Sequence, residues 1–194
     1  MSDAASISSL WARFDAWLAA HAPDLATSLR PGATDEQIAA TEAVLGVAFP
    51  DDVRASYRVH DGQDEDAEPV VPVARELLSL ARIDQEWGVW KELLDSGTFA
   101  EMKGAPMGPI KTDWWNARWI PLTYDGSGNH DCLDLDPAED GHVGQMISFW
   151  HDEAGRLLEA PSFTAWLSAL VDGCEAGRYA YVPDEGLVPL GRDE

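Results

Sequence analysis

The chain has 194 residues, 45% of them hydrophobic, and sets 13 Lys and Arg against 35 Asp and Glu for a formal charge of -22. That length fits one domain, and that apolar fraction fills a core, which excludes a wholly disordered chain. So negative a surface repels phosphate backbones and anionic headgroups, so neither nucleic acid nor a membrane is an expected partner.

In chain order, Leu10, Trp11, Phe14, Trp17 and Leu18 recur at helical spacing and predict a helix over 6–20 that Pro23 ends. Thr34 with Gln37 is a capping-box pair, Asp35 and Glu36 suit the first turn, and Gly46 sits just past the end of the stripe Ile38, Thr41, Glu42, Leu45. A short helix is predicted over 51–59, with Val53 and Tyr57 buried and Asp61-Gly62 as its stop. From Asp61 to Glu68 five carboxylates and no Lys or Arg predict a solvated, mobile loop. The run 70–73 is broken by Pro72 and suits an edge strand or extended connector. Residues 77–80 read as a strand handing over at Ser79 to a helix carrying Ile83, Trp87, Trp90 and Leu94, closed by Gly97. The Gly-, Pro- and Met-rich stretch 101–112 reads as irregular.

The second half changes to short β-prone runs over 118–124, 131–135, 145–150 and 156–159, with turn residues between them. Asp152-Glu153-Ala154-Gly155 is expected to be a hairpin loop whose glycine takes positive φ. Ser162 caps a final helix with Phe163, Trp166, Leu167, Leu170 and Val171 as its stripe and Gly177 as its stop; the tail 180–194 is expected to be extended. The order predicts an α+β fold, an antiparallel sheet meander with helices packed on one face. A single domain is expected over 1–194, its core at about 29–179 with the 6–20 helix packed on it.

Two stretches together carry a recognisable pattern. The first runs from Pro31-Gly32-Ala33-Thr34 through Glu42, Leu45-Gly46, Phe49-Pro50-Asp51 and Tyr57 to His60-Asp61-Gly62-Gln63. The second is Trp119-Ile120-Pro121-Leu122, Asp125-Gly126-Ser127-Gly128-Asn129, Cys132-Leu133-Asp134-Leu135-Asp136-Pro137 and Gly144-Gln145, closed by the helix at Ser162-Phe163 and Trp166-Leu167. Together they resemble the SUKH superfamily, which holds fungal Smi/Knr-type cell-wall regulators and bacterial toxin-immunity proteins, and the resemblance implies a SUKH-like interaction domain without catalytic machinery. Its first implied role is a bacterial immunity protein that neutralises a basic toxin domain by stoichiometric binding. The alternative is a Smi/Knr-type regulatory adaptor.

Other chemistries have weaker footing. The run Asp125–Asp131 places oxygen-bearing residues as a calcium loop begins, but position 136 is Asp136 rather than the bidentate Glu of such loops, and a Gly-rich turn between two strands is the favoured reading. A metal-dependent hydrolase using His130, Asp134 and Asp136 is a third reading; no histidine pair has zinc spacing, and no nucleophile elbow or phosphate loop occurs. Cys132 and Cys174 are too few for a disulfide framework. No cofactor is expected. With no apolar run of about 18 residues and no signal-like start, the chain reads as cytoplasmic. The residues expected to touch a protein partner are Asp61, Asp64, Glu65, Asp66, Glu68, Trp114, Trp115, Asp134 and Asp136. The acidic ones would steer a basic partner and the tryptophans anchor it.

Overall fold

The computed structural model describes residues 3–191. Helix α1 (Asp3–His21) buries Leu10, Trp11, Phe14 and Leu18 of the predicted stripe and adds Ile7 to them, while Trp17 is only half-buried and stacks on His21. Pro23 ends α1 and also opens a second helix, α2 (Pro23–Ser28). Proline suits the first helical position because its missing N–H has no partner there. Strand β1 (Leu29–Pro31) follows, then α3 (Asp35–Leu45). In its capping box Thr34 Oγ1 accepts from the Gln37 N–H and Gln37 Oε1 accepts from the Thr34 N–H, and Gly46 ends the helix at φ 67°. Helix α4 (Asp51–Val59) buries Val53 and Tyr57.

Strand β2 (His60–Gln63) pairs antiparallel with β1, so the acidic stretch opens as a pinned strand, not as a free loop. Residues 70–73 are not a strand: Val71 bridges only to Arg75, and Val73 and Ala74 turn the chain at φ 66° and 54°. Strand β3 (Glu76–Leu77) leads through the N-cap Ser79 into α5 (Leu80–Asp95), which Gly97 closes at φ 77°. The stretch expected to be irregular contains β4 (Ala105–Met107). After β5 (Trp119–Pro121) and β6 (Thr123–Tyr124), which pairs with β3, come β7 (His130–Asp134), β8 (Gln145–Phe149) and β9 (Gly155–Ala160).

The five-stranded sheet runs β4-β9-β8-β7-β5. Neighbours from β5 to β9 are antiparallel, and β4 adds a parallel edge strand beside β9. Gly155 does not take positive φ; it opens β9. The loop before it is closed from inside instead, because the Arg156 guanidinium donates to the Trp150, Glu153 and Gly155 carbonyls. The fold class is α+β, as expected.

Side-chain alternation divides the sheet. His130 and Phe149 face α5, where Trp90 packs on both rings. Their chain neighbours Asp131 and Ser148 face the other way, beneath α6 (Phe163–Glu175), so helices cover both faces of the sheet and not one as expected, and β7 and β8 are buried throughout. The tail is a hairpin of β10 (Tyr179–Val182) and β11 (Gly186–Pro189) rather than a single extended strand. Among the described residues no helix is long and apolar enough to cross a membrane.

Candidate functional site

The site begins with four consecutive residues that hold one loop. His60 is bonded through Nδ1 to the Arg30 carbonyl and through Nε2 to Asp15. The Asp61 carboxylate accepts from the Leu80 N–H at 2.8 Å and so caps α5 across the chain. Gly62 sits at φ 66° with Leu78 and Ser79 backbone so close that a Cβ would lie 2.4 Å from the Ser79 nitrogen. No other residue fits there. Gln63, fully buried, closes the loop: its Oε1 accepts from Val70 N–H (3.0 Å) and Leu77 N–H (2.9 Å), and its Nε2 donates to the Glu68 carbonyl (2.9 Å). The C-terminal hairpin grips the same segment, Asp184 N–H donating to Glu68 Oε1 and Leu187 N–H to the Pro69 carbonyl.

These ties place the turn 71–75 over the sheet and leave a groove of about 370 Å³ between that turn, α6 and β10. Its walls are apolar: Val73 from the turn, Trp150 and Leu157 from the sheet, Trp166 and Leu170 from α6, and Tyr179. Gly173 lets Tyr179 lie flat on α6, since a Cβ there would stand 2.3 Å from the Tyr179 ring. The floor is polar. Asp131 and Ser148 are register partners across β7 and β8, and Arg75 reaches in from the turn.

Arg75 is only 6% exposed and Ser148 3%, yet among the described residues neither Arg75 Nη1 nor Ser148 Oγ has a hydrogen-bond partner. Arg75 Nη1 stands 3.6 Å from Asp131 Oδ1, an ion-pair distance too long for a good hydrogen bond, and the guanidinium lies over the Trp150 ring at 5.6 Å. Burial pushes the Asp131 carboxyl up to about 6; Arg75 opposes the rise and Glu159, on the same wall, adds to it. Buried donors left open are uncommon, because each forfeits its hydration without replacement.

The residues expected to contact a partner do not converge. Asp64 and Glu65 are exposed, 3.4 Å from Arg30 and 3.7 Å from Arg82 respectively, and Asp66 is exposed. Asp61 and Glu68 are spent on the internal bonds described above. Trp115 is 2% exposed, packed against Trp87 and Trp90, while Trp114 is half-buried under the Arg156 guanidinium. A second hollow of about 240 Å³ lies beside this pair, near Phe99 and Lys103. Asp134 is fully buried, accepting from Gln145 Nε2 and the Asp136 N–H, and Asp136 pairs with Lys111. Trp115 and Asp134 therefore work inside the protein and present no surface to a partner.

The groove residues Arg75, Ser148, Trp150, Leu157 and Glu159 carried no motif. The one local signal is Arg75 itself, the first Lys or Arg after Arg58, at the end of the acidic stretch.

The metal readings lose their donors. Both Asp125 oxygens are used within the turn, on Ser127 N–H, Asn129 N–H and Asn129 Nδ2. His130 accepts from Trp90 Nε1 and donates from Nδ1 to the Thr123 carbonyl, so neither ring nitrogen is free, and burial pushes it down to about 4. Among the described residues no three His, Cys, Asp or Glu side chains are grouped to hold a metal.

The protein is thus an α+β domain with an open, apolar-walled groove. The family model described as the SMI1/KNR4 family (SUKH-1) matches residues 32–169, and the chain belongs to that family. It is 28% identical over 95% of its length to the cell wall biosynthesis/cell cycle regulator smi1 of Schizosaccharomyces pombe, and 27% identical over 90% to the cell wall assembly regulator SMI1 of Saccharomyces cerevisiae. It is 25% identical over 93% of its length to F-box only protein 3 of Bos taurus. The chain spans 39%, 41% and 37% of those three proteins respectively.

Proposed function

We propose that this chain is a protein-binding regulatory module of the Smi/Knr type, which acts by holding a partner and not by turning over a substrate. The observation that carries this reading is the match over 32–169 to a family whose fungal relatives named above are regulators. Those names favour the adaptor reading over toxin neutralisation, the role that the resemblance had put first. A similar module within an F-box protein fits a part carried into different proteins to make contacts. The site chemistry supports it as well. Ser148 faces the groove, but the neighbouring His130 lies on the other side of the sheet with both nitrogens engaged. The Cys132 and Cys174 thiols are buried, and burial raises both, Cys174 to about 12, so neither is a thiolate nucleophile.

The test is reconstitution. A partner captured from the native host and purified should form a saturable complex of fixed stoichiometry with this chain, measured by calorimetry and sedimentation. Multiple-turnover conversion of any compound by the purified chain, abolished by Arg75→Met or Ser148→Ala, would overturn the reading.

A further inference from the structure

We propose that the groove between the 71–75 turn and α6 is the partner's docking site, and that it takes an extended peptide segment with an apolar side chain flanked by Lys or Arg. The inference rests on the binding-module reading and adds to it the place of contact and the chemistry of what enters.

Arg75 Nη1 and Ser148 Oγ are buried without partners among the described residues, and both residues line the groove floor, so an occupant that brings a hydrogen-bond acceptor would satisfy what the protein leaves unpaired. A free carboxylate or phosphate is a poor choice, because Asp131 lies 3.6 Å from Arg75 and Glu159 lines the same wall. A third anion would meet two negative charges against one positive. A neutral carbonyl oxygen can accept from either group without that repulsion, and an extended peptide supplies one at every residue.

The walls define the side chain. Val73 is 62% exposed, Leu157 37% and Trp150 36%, so an apolar rim continues the apolar walls out to solvent. An inserted Leu or aromatic group would cover that rim, as anchors do at interface centres. The volume fits one or two side chains rather than a helix. The flanks follow from charge: the groove carries one cation against two carboxylates, in a chain of formal charge -22. Val73 adds an independent sign. A β-branched residue at φ 66° is strained, and such strain persists where the surroundings fix a particular shape.

The probe is a displayed library of random peptides, panned on the full chain, with one selected peptide then resynthesised with blocked ends and titrated by Trp fluorescence. The selected sequences should share one apolar position bracketed by Lys or Arg. Leu157→Lys, at a solvent-exposed position, should weaken the peptide at least about tenfold while leaving the melting temperature unchanged. Ser148→Ala should weaken it several-fold while the melting temperature holds or rises, because an unpaired hydroxyl has been removed; a merely structural serine would lose stability instead.

Selection of acidic sequences, the absence of any consensus, or a peptide whose affinity neither variant changes would overturn the proposal. So would a small apolar compound saturating the groove in preference to every peptide. If the reconstituted partner still binds the Leu157→Lys and Ser148→Ala chains at full affinity, the groove assignment fails while the adaptor reading stands. If the peptide binds as described but the chain also catalyses turnover, the adaptor reading fails and the groove assignment stands.

Discussion

His130 and Asp131 are adjacent in sequence and face opposite sides of the sheet, and each is forced towards its neutral form by burial. His130 is held down to about 4 from an ordinary 6.5, so between those pH values the unfolded chain takes up a proton that the native state refuses. Acidification through that window removes stability, about 3 kcal/mol at roughly 1.4 kcal/mol per unit. Asp131 is held up to about 6 from an ordinary 3.8, so between 6 and 4 the native state binds a proton that the unfolded chain does not. Acidification there adds stability of similar size, again about 3 kcal/mol. The two slopes oppose each other. Asp131→Asn leaves His130 uncompensated, so its urea-unfolding free energy should fall more steeply from pH 6.5 to 4 than that of the parent. The difference between the two chains should change by about 2–3 kcal/mol across the window. Glu76, Asp84, Glu86 and Asp134 are also raised by burial, but they are common to both chains and cancel in the difference. A difference that stays constant over pH 4–6.5 would refute the pairing.

At the scale of elements, much of the frame was legible because local chemistry decided it. The capping box at Thr34 and Gln37, the left-handed Gly46, the Ser79 and Ser162 caps and four of the five residues of the α1 stripe act within a turn or two of chain, where periodicity reads well. The groove was not legible, because its parts meet only through tertiary structure: Arg75 from a turn, Ser148 from β8, Leu157 from β9, Trp166 from α6 and Tyr179 from β10. The acidic stretch misled for a related reason. Charge density marks a solvated loop, but Asp61 and Gln63 are spent holding it down, and nothing local distinguishes a carboxylate that caps a distant helix from one that faces water. Likewise β4, three residues containing Pro106, gains its strand character only from lying beside β9.

The clamp makes a testable element. Gln63→Ala strands the Val70 and Leu77 N–H groups and the Glu68 carbonyl, each a buried or part-buried group that Gln63 now satisfies. It should destabilise the protein by about 2–3 kcal/mol, by the penalty for unsatisfied buried groups. Hydrogen exchange at Val70 and Leu77 should accelerate well before that at β7 and β8. Equal acceleration across the sheet would show that the clamp is not a local device.

At the scale of the whole molecule, the charge of -22 acts on encounter more than on holding. Asp64, Glu65 and Asp66 protrude just before the segment that walls the groove, and among the described residues their ion pairs are the long ones to Arg30 and Arg82. Exposed pairs of that kind contribute little to stability, so replacing all three with Ser should move the melting temperature very little. The effect should fall on association. A basic peptide approaching the groove passes this loop, and its field reaches about 10 Å at 0.1 M salt but only about 3 Å at 1 M. In stopped flow at low salt the triple variant should therefore associate several-fold more slowly with the lysine-flanked peptide, while its dissociation rate stays within about twofold of the parent. The gap should close as salt rises, because screening removes from the parent what the substitutions remove from the variant. Equal association rates at low salt would mean that the loop does not steer. A change confined to dissociation would instead place these carboxylates in direct contact with the bound segment.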